Sequence, residues 1–291
     1  MAEAIKQTVQ WFPGHMAKTR RLIGENMKKV DGVVILLDAR VPVSSRNPEL
    51  DELTRGKRRL FILNKADLAD PAVTERWLAA LRRNGDNAMS MDCRSGRWQN
   101  DFRQEAKRML APVIRRNEER GMPGKTVRLM VLGIPNTGKS TFINGLCAKA
   151  KAKTEDRAGV TRDTHWYNTG DGVELLDTPG VLWPKFEDPE VGDKLAFTGG
   201  VKDQVLDVET LAVRFLDAIA REHPDRLTAR YGVTDFESMM PWELLEAIGA
   251  KRGMKIRGGD VDTLRCANML LDEYRAGKLG RISLEMPEKS I

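Results

Sequence analysis

Apolar positions in the first two-thirds of the chain fall into four short runs, Val33–Leu37, Leu60–Leu63, Val127–Leu132 and Val173–Leu176. Each is continuously apolar or nearly so, the pattern of a strand covered on both faces. Segments of helical character, Pro71–Arg83 and Asp101–Arg116, lie between them. Strand–helix alternation of this kind predicts an α/β fold with a doubly wound, mostly parallel sheet. From about Asp207 the period changes. Leu211, Phe215 and Ile219 fall at helical spacing, as do Trp242, Leu245 and Ile248, then Leu264, Met269 and Leu271. Pro224, Pro241 and Gly258-Gly259 separate these segments, and Asp260 or Asp262 can cap the last helix. The expected layout is an α/β domain over residues 1–200 and a small all-α domain over 201–291, whose Met and aromatic positions are core.

Doubly wound sheets bind ligands beyond the carboxyl ends of their strands. A polar motif stands after each run: Asp38-Ala39-Arg40, Asn64-Lys65-Ala66-Asp67, Gly133 to Ser140, and Asp177-Thr178-Pro179-Gly180. The third is a full P-loop, after a strand and before a helix. Its glycines let successive N–H groups point at phosphate oxygens, and the start of the next helix adds partial positive charge. Asn136, Thr137, Gly138, Lys139, Ser140 and Thr141 are therefore expected to wrap the phosphates, with Lys139 on the β- and γ-groups and the Ser140 hydroxyl on Mg²⁺.

The base is read elsewhere. Asn64-Lys65-Ala66-Asp67 fits the guanine-reading pattern Asn-Lys-x-Asp. An Asp67 carboxylate accepts from both N1–H and the exocyclic amine of guanine, a donor pair that adenine lacks. Asn64 can hold the loop and approach N7, and the Lys65 stem can cover a ring face. The segment Ser90–Gly96 is expected to supply a further guanine contact at Cys93, mainly by backbone, although Asp92-Cys93-Arg94 departs from the usual Ser-Ala-Lys. Asp177 and Gly180 fit the Asp-x-x-Gly pattern of switch II, with Asp177 holding Mg²⁺ through water and the Gly180 N–H facing the γ-phosphate. Thr161, between P-loop and Asp177, is the expected switch I threonine, a second Mg²⁺ ligand in the triphosphate state. GTP and GDP are thus the expected ligands, and an ATPase or metabolic kinase is disfavoured by Asn64–Asp67.

The order of these motifs is unusual, because the Asn-Lys-x-Asp loop precedes the P-loop. Loops on one face of a sheet build the same site in either order, so the chain reads as circularly permuted. Switch II then stands close to the end of the α/β domain, with Trp183 to Pro189 as the connector to the next domain. In this order, and in Trp11-Phe12-Pro13-Gly14-His15-Met16, Asp38-Ala39-Arg40-Val41-Pro42, Ser44-Ser45-Arg46-Asn47-Pro48 and Gly277-Lys278-Leu279-Gly280-Arg281, the chain resembles the circularly permuted GTPases of the ribosome biogenesis GTPase A type (the YlqF group). The resemblance covers nearly the whole chain. It implies a cytosolic GTP-hydrolysing factor that binds the precursor large ribosomal subunit and is activated there, with a helical C-terminal domain contacting ribosomal RNA.

Hydrolysis needs a group that orients water. In Ras-like enzymes a glutamine after the switch II glycine does this, but here that position is Val181, which cannot hydrogen-bond. The resemblance points to His15, one of three histidines, as the catalytic residue beside Lys139. A group supplied by the ribosome is the competing source, and Asn136 resembles the asparagine with which some GTPases hold K⁺. Asp38-Ala39-Arg40 can brace the nucleotide loops or contact a partner, and the sequence does not separate these.

Composition adds little except through charge. Hydrophobic residues make 41% and charged residues 31% of the 291, ordinary for a globular protein and against wholesale disorder. No apolar run suits a membrane span, and the polar N-terminus lacks a signal-peptide core. The three cysteines, Cys93, Cys147 and Cys266, have no metal-ligand spacing and fit a reduced cytoplasmic setting. The net charge of +6 gathers in two places: Lys6, Lys18, Arg20, Arg21, Lys28 and Lys29 near the start, and Lys251, Arg252, Lys255 and Arg257 in an expected exposed loop. The second is the candidate contact to RNA phosphates. RNA is therefore the expected polyanion, with no DNA or membrane partner. A GTP-gated adaptor for another protein, with incidental hydrolysis, is the alternative.

Overall fold

The computed structural model describes residues 13–147, 165–183, 186, 188–201 and 207–287, with side chains from Lys18 onward except that of Glu237. By contacts the described chain divides into two compact units. One is Phe186–Ile282; the other joins the residues before Phe186 to those from Ser283 on. Sequence predicts a single boundary at residue 200, whereas this division runs at Phe186 and again at Ser283.

The sheet unit contains α1 (Pro13–Met27), β1 (Gly32–Asp38), α2 (Pro48–Leu53), β2 (Arg58–Asn64), α3 (Pro71–Arg83), β3 (Asn87–Met91), α4 (Gln99–Glu119), β4 (Val127–Leu132), α5 (Lys139–Leu146), β5 (His165–Asn168) and β6 (Val173–Asp177). The strands form one sheet in the order β3-β2-β1-β4-β6-β5. All pairings are parallel except β5 with β6. The strand order reverses between β1 and β4, which opens a crevice at their carboxyl ends. Both faces are covered. Val34, Leu36, Leu129 and Val131 pack under α4 and α5 with Phe102, Leu110 and Phe142, while Val33, Ile35, Phe61 and Met130 pack with Ile23 of α1 and Trp77 of α3. Consecutive residues of β1 therefore serve opposite cores, the reason the run is apolar throughout.

Helix α3 starts where its sequence dictates. The Asp70 side chain accepts from the Ala72 and Val73 N–H groups, and Pro71 occupies the first turn. The strands β3 and β5 carry no such signal. Asn87-Ala88-Met89-Ser90-Met91 is not continuously apolar, and β5 is a mostly exposed antiparallel edge.

The chain's last described residues rejoin this unit. Leu284 N–H donates to the Arg40 carbonyl (2.9 Å), and Trp77 Nε1–H donates to the Glu285 carbonyl (3.0 Å). The buried Glu285 carboxylate accepts from the Val43 N–H (2.6 Å), the Ser44 N–H (3.1 Å) and the Ser44 hydroxyl. Glu285→Ala leaves these donors without their acceptor, a cost of about 2–4 kcal/mol. The expected result is a thermal midpoint of the sheet unit lowered by roughly 5–10 °C in calorimetry; an unchanged midpoint would contradict this role.

The second unit is helical: α6 (Pro189–Phe197), α7 (Val208–Glu222), α8 (Pro224–Tyr231), α9 (Pro241–Lys251) and α10 (Thr263–Arg275). Leu211, Phe215 and Ile219 of α7 are buried with Leu245, Ile248, Leu270 and Tyr274, and Phe215 stands 5.2 Å from Phe197 and 4.8 Å from Tyr274 between ring centroids. Asp262 caps α10 by accepting from Arg265 N–H (3.0 Å). Three expected core positions are corrected: Met240, Trp242 and Leu264 are exposed (68%, 43% and 53%), because Met240 is the N-cap of α9 and the other two lie in the first turn of their helices, beyond the packed stretch.

Candidate functional site: a guanine-nucleotide crevice at the β1/β4 switch point

Among the described residues, the expected nucleotide-site residues outside α5 stand at the carboxyl ends of β2, β3, β4 and β6 and in the loops beyond them. The P-loop leaves β4 at Gly133, turns through a left-handed Asn136 (φ 59°) and Gly138 (φ 97°), and enters α5 at Lys139. The Thr137 hydroxyl donates to the Ile134 carbonyl (2.9 Å) and closes the loop on itself. Lys139 is buried, and its ammonium donates to the Gly133 (3.0 Å) and Ile134 (2.7 Å) carbonyls. Ser140 and Thr141 come next in the first turn of α5, both partly buried.

Asn64 ties three loops together. Its Nδ2 donates to the Thr137 carbonyl (2.7 Å), and its Oδ1 accepts from the Cys93 N–H (3.1 Å). The base-reading loop, the P-loop and the β3–α4 loop thus share one buried amide. A Cβ on Gly138 would stand 2.3 Å from Asn64 Nδ2, so the P-loop glycine is required by the guanine loop as well as by its own φ. Asn64 holds loops with both ends of its amide, and its second Nδ2 hydrogen remains over for a ligand.

Asp67 is exposed. Its pKa is raised by desolvation and by the nearby Asp92 carboxylate. Cys93 is buried, and burial, helped by Asp92, pushes its thiol up to about 12. The thiol is therefore protonated and unreactive, and this loop can address a ligand through backbone groups. Ser90 and Met91 belong to β3, so the loop begins at Asp92 and not at Ser90.

Switch II leaves β6 at Asp177, which is buried. The Thr178 hydroxyl donates to the Val131 carbonyl (2.7 Å) and pins the segment to β4. Gly180 packs on the P-loop: a Cβ there would lie 2.8 Å from Pro135 N and 3.1 Å from Lys139 Nζ. Val181 donates its N–H to the Gly133 carbonyl (3.2 Å), and its carbonyl accepts from Asn47 Nδ2 (3.1 Å). The Val181 side chain is buried in the core beside Leu132 and Leu176, so it faces away from any bound phosphate.

The Asp38-Ala39-Arg40 triplet is buried, which removes it from partner contact. Arg40 donates through Nε (2.9 Å) and Nη2 (2.8 Å) to the two Asp38 oxygens, and Lys65 Nζ lies 3.0 Å from Asp38 Oδ2. Burial alone would raise the Asp38 carboxyl, but the Arg40 and Lys65 charges outweigh it and hold it well below the usual carboxylate range.

Thr161 lies outside the described residues, as does the side chain of His15, whose backbone is in the first turn of α1. The basic group near the C-terminus does not form one loop. Lys251 is the last residue of α9 and donates to the Gly232 carbonyl. Arg252 sits 5.2 Å from the Tyr231 ring centroid and 3.7 Å from a Glu273 oxygen. Lys255 and Arg257 occupy the turn after α9 and are exposed. Two supports of switch II, Asn47 and Thr178, were not evident from sequence. Asn47 carried a local signal, since Asn before Pro marks a helix cap, and it does cap α2; nothing local marks its bond to Val181.

Burial depresses the Lys139 ammonium to about 8, against the pull of the neighbouring Asp177 carboxylate. Phosphates bind the protonated form, so binding takes up a proton once pH rises past that value. GDP affinity is expected to fall about tenfold between pH 7 and pH 9, read by calorimetric titration; constant affinity over that range would show that Lys139 stays charged.

A family model described as "50S ribosome-binding GTPase" matches residues 128–232. Ribosome biogenesis GTPase A of Bacillus cereus is 43% identical over 97% of this chain and 95% of its own length. That of Thermotoga maritima is 28% identical over 96% and 95%. A solved structure of YlqF from T. maritima, bound to GNP, superposes with a TM-score of 0.67 at 26% identity, covering 93% of this chain and 99% of that one. The GDP-bound structure of TM YlqF gives 0.68 at 27% identity, covering 91% and 99%. Identity sustained along almost the whole chain, with a crevice built from P-loop, Asn-Lys-x-Asp loop and switch II in permuted order, places the protein in the ribosome biogenesis GTPase A family, as a GTP-hydrolysing enzyme.

Proposed function

We propose that this protein is a GTP-driven factor in assembly of the large ribosomal subunit, binding the subunit or its precursor in the GTP state and leaving after hydrolysis. The observation that carries the nucleotide half is Asn64, whose amide welds the guanine loop to the P-loop. The partner half rests on family membership and on exposed cations, Lys255 and Arg257 on the helical unit, Arg20 and Arg21 on α1 and Lys28 in the turn after it, suited to RNA phosphates.

Ser140 and Asp177 offer only oxygen donors, and Asp177 is a buried carboxylate beside the phosphate-binding lysine. That donor set fits Mg²⁺, which keeps several waters and takes the rest of its shell from phosphates. When bound, Mg²⁺ neutralises charge on the phosphate chain. Thr161 is the proposed second hydroxyl ligand, and Asn136, at the left-handed apex of the P-loop, the proposed K⁺ contact. The protein's own part is positional: Lys139 stabilises charge on the leaving phosphates, and Gly180 offers its N–H beside the P-loop. Val181 leaves the water unoriented. His15, in the first turn of α1, is the proposed replacement, as the family resemblance implies.

The test is sedimentation of the protein with purified large and small subunits, loaded with a non-hydrolysable GTP analogue, GDP or nothing. Selective, GTP-dependent association with large subunits or their precursors supports the reading, and equal association in all states overturns it.

A further inference from the structure

The geometry points to Asp38 and Arg40 as positioning residues for base recognition: they fix the Lys65 side chain so that its aliphatic stem forms one wall of the guanine site. This rests on reading Asn64–Asp67 as the base-contacting loop. Lys65 has a positive φ (60°), a conformation that a non-glycine residue adopts at some cost. The backbone around it is held by the Ala66 N–H on the Met91 carbonyl (3.1 Å) and the Leu68 N–H on the Lys65 carbonyl (2.9 Å), and the far end of the side chain is anchored as well. Lys65 Nζ reaches Asp38 Oδ2 at 3.0 Å, with side-chain exposures of 21% and 5%. The same carboxylate accepts from the Arg40 N–H (3.1 Å), Nε (2.9 Å) and Nη2 (2.8 Å). Asp38 is thus clamped by its own loop before it engages Lys65. Backbone and ammonium being pinned at opposite ends, the stem between them has little freedom.

Neither Asp38 nor Arg40 can touch a ligand, since both are essentially inaccessible. The part of Lys65 left for a base is its methylene stem, two residues before the exposed Asp67 and on the loop that Asn64 joins to Cys93. An anchored stem presents a flat apolar face at no further entropic cost on binding, whereas a free lysine would have to be ordered by the ligand. A paired ammonium also cannot swing into the site to meet the phosphates, which remain the province of Lys139. The triplet at the end of β1 therefore acts on guanine from beneath the site, through Lys65.

Asp38→Asn removes the anchor's charge. The test compares affinity for GDP with affinity for ribose 5-triphosphate, which carries phosphates but no base, alongside the Asp67→Asn variant. The expected result is that Asp38→Asn weakens GDP about 30-fold or more while ribose 5-triphosphate changes less than about threefold. Asp38→Asn with Lys65→Met should then recover part of the loss, because methionine keeps an apolar stem without a buried ammonium lacking its partner. Where Asp38→Asn fails to fold, Arg40→Lys, which keeps the charge but loses the fork, gives the same comparison. Parallel loss of both ligands, or no loss of GDP, overturns the inference. If Asp67→Asn also leaves GDP and ribose 5-triphosphate in unchanged ratio, the guanine-loop reading itself fails; if only Asp38→Asn does, the loop reading stands and the positioning role falls.

Discussion

Replacing Gly138 by alanine is expected to abolish useful nucleotide binding, lowering GDP affinity at least about a hundredfold. Two costs act together. Gly138 has φ 97°, where a Cβ adds about 1–2 kcal/mol of strain. The new methyl would also stand 2.3 Å from Asn64 Nδ2. Asn64 must then move and give up its bonds to the Thr137 carbonyl and the Cys93 N–H, leaving buried groups unpaired at about 1–3 kcal/mol each. Damage at the phosphate loop thereby reaches the base loop. Titration calorimetry with GDP measures it, and a Gly138→Ala protein that binds GDP within about fivefold of the original would show that the Asn64 bridge is dispensable.

The second large effect is a change of base. Asp67→Asn converts an acceptor pair into one acceptor and one donor; the acceptor still suits N1–H, but the donor opposes the exocyclic amine of guanine and suits the carbonyl that xanthine carries in its place. A site built for a hydrogen bond discriminates strongly against the mismatched analogue, so GTP should weaken by about a thousandfold while XTP gains. Competition of GTP and XTP for the same protein reads this directly. Loss of both nucleotides in equal measure would mean that Asp67 supports the loop instead of reading the base.

The outline of this protein is legible in residue types because its determinants are local. A continuously apolar β1 announces a strand covered on both faces, Asp70-Pro71 announces the start of α3, and Gly133 to Ser140 can do little but curl around phosphate. The features that sequence conceals are non-local. Strand β3 is a polar-interrupted edge neighbour held by β2, and Glu285 contacts Ser44 at a separation of 241 positions. Asn47 looks like a helix cap and is one, yet its other end restrains Val181 in switch II. The role of Asp38-Ala39-Arg40 is undecidable from sequence, since an aspartate and an arginine two apart suit a surface patch as well as a buried clamp. Burial settles it, and burial is a property of the whole fold. The amphipathic period overreaches at Trp242 and Leu264 for a related reason: a helix's first turn keeps the period after its neighbours have ended.

These couplings describe a crevice in which base loop, P-loop and switch II are mechanically joined, and in the proposed function the group that orients water comes from outside these loops. Slow turnover alone and fast turnover on the partner are the expected consequences. The most direct measurement is the rate of GTP hydrolysis in potassium buffer, with and without purified large ribosomal subunits, for the original protein and for His15→Ala. Strong stimulation by large subunits is expected, absent with small subunits, together with loss of about 10²–10⁴-fold of the stimulated rate in His15→Ala while nucleotide affinity stays intact. Turnover that is indifferent to large subunits would contradict a ribosome-activated GTPase.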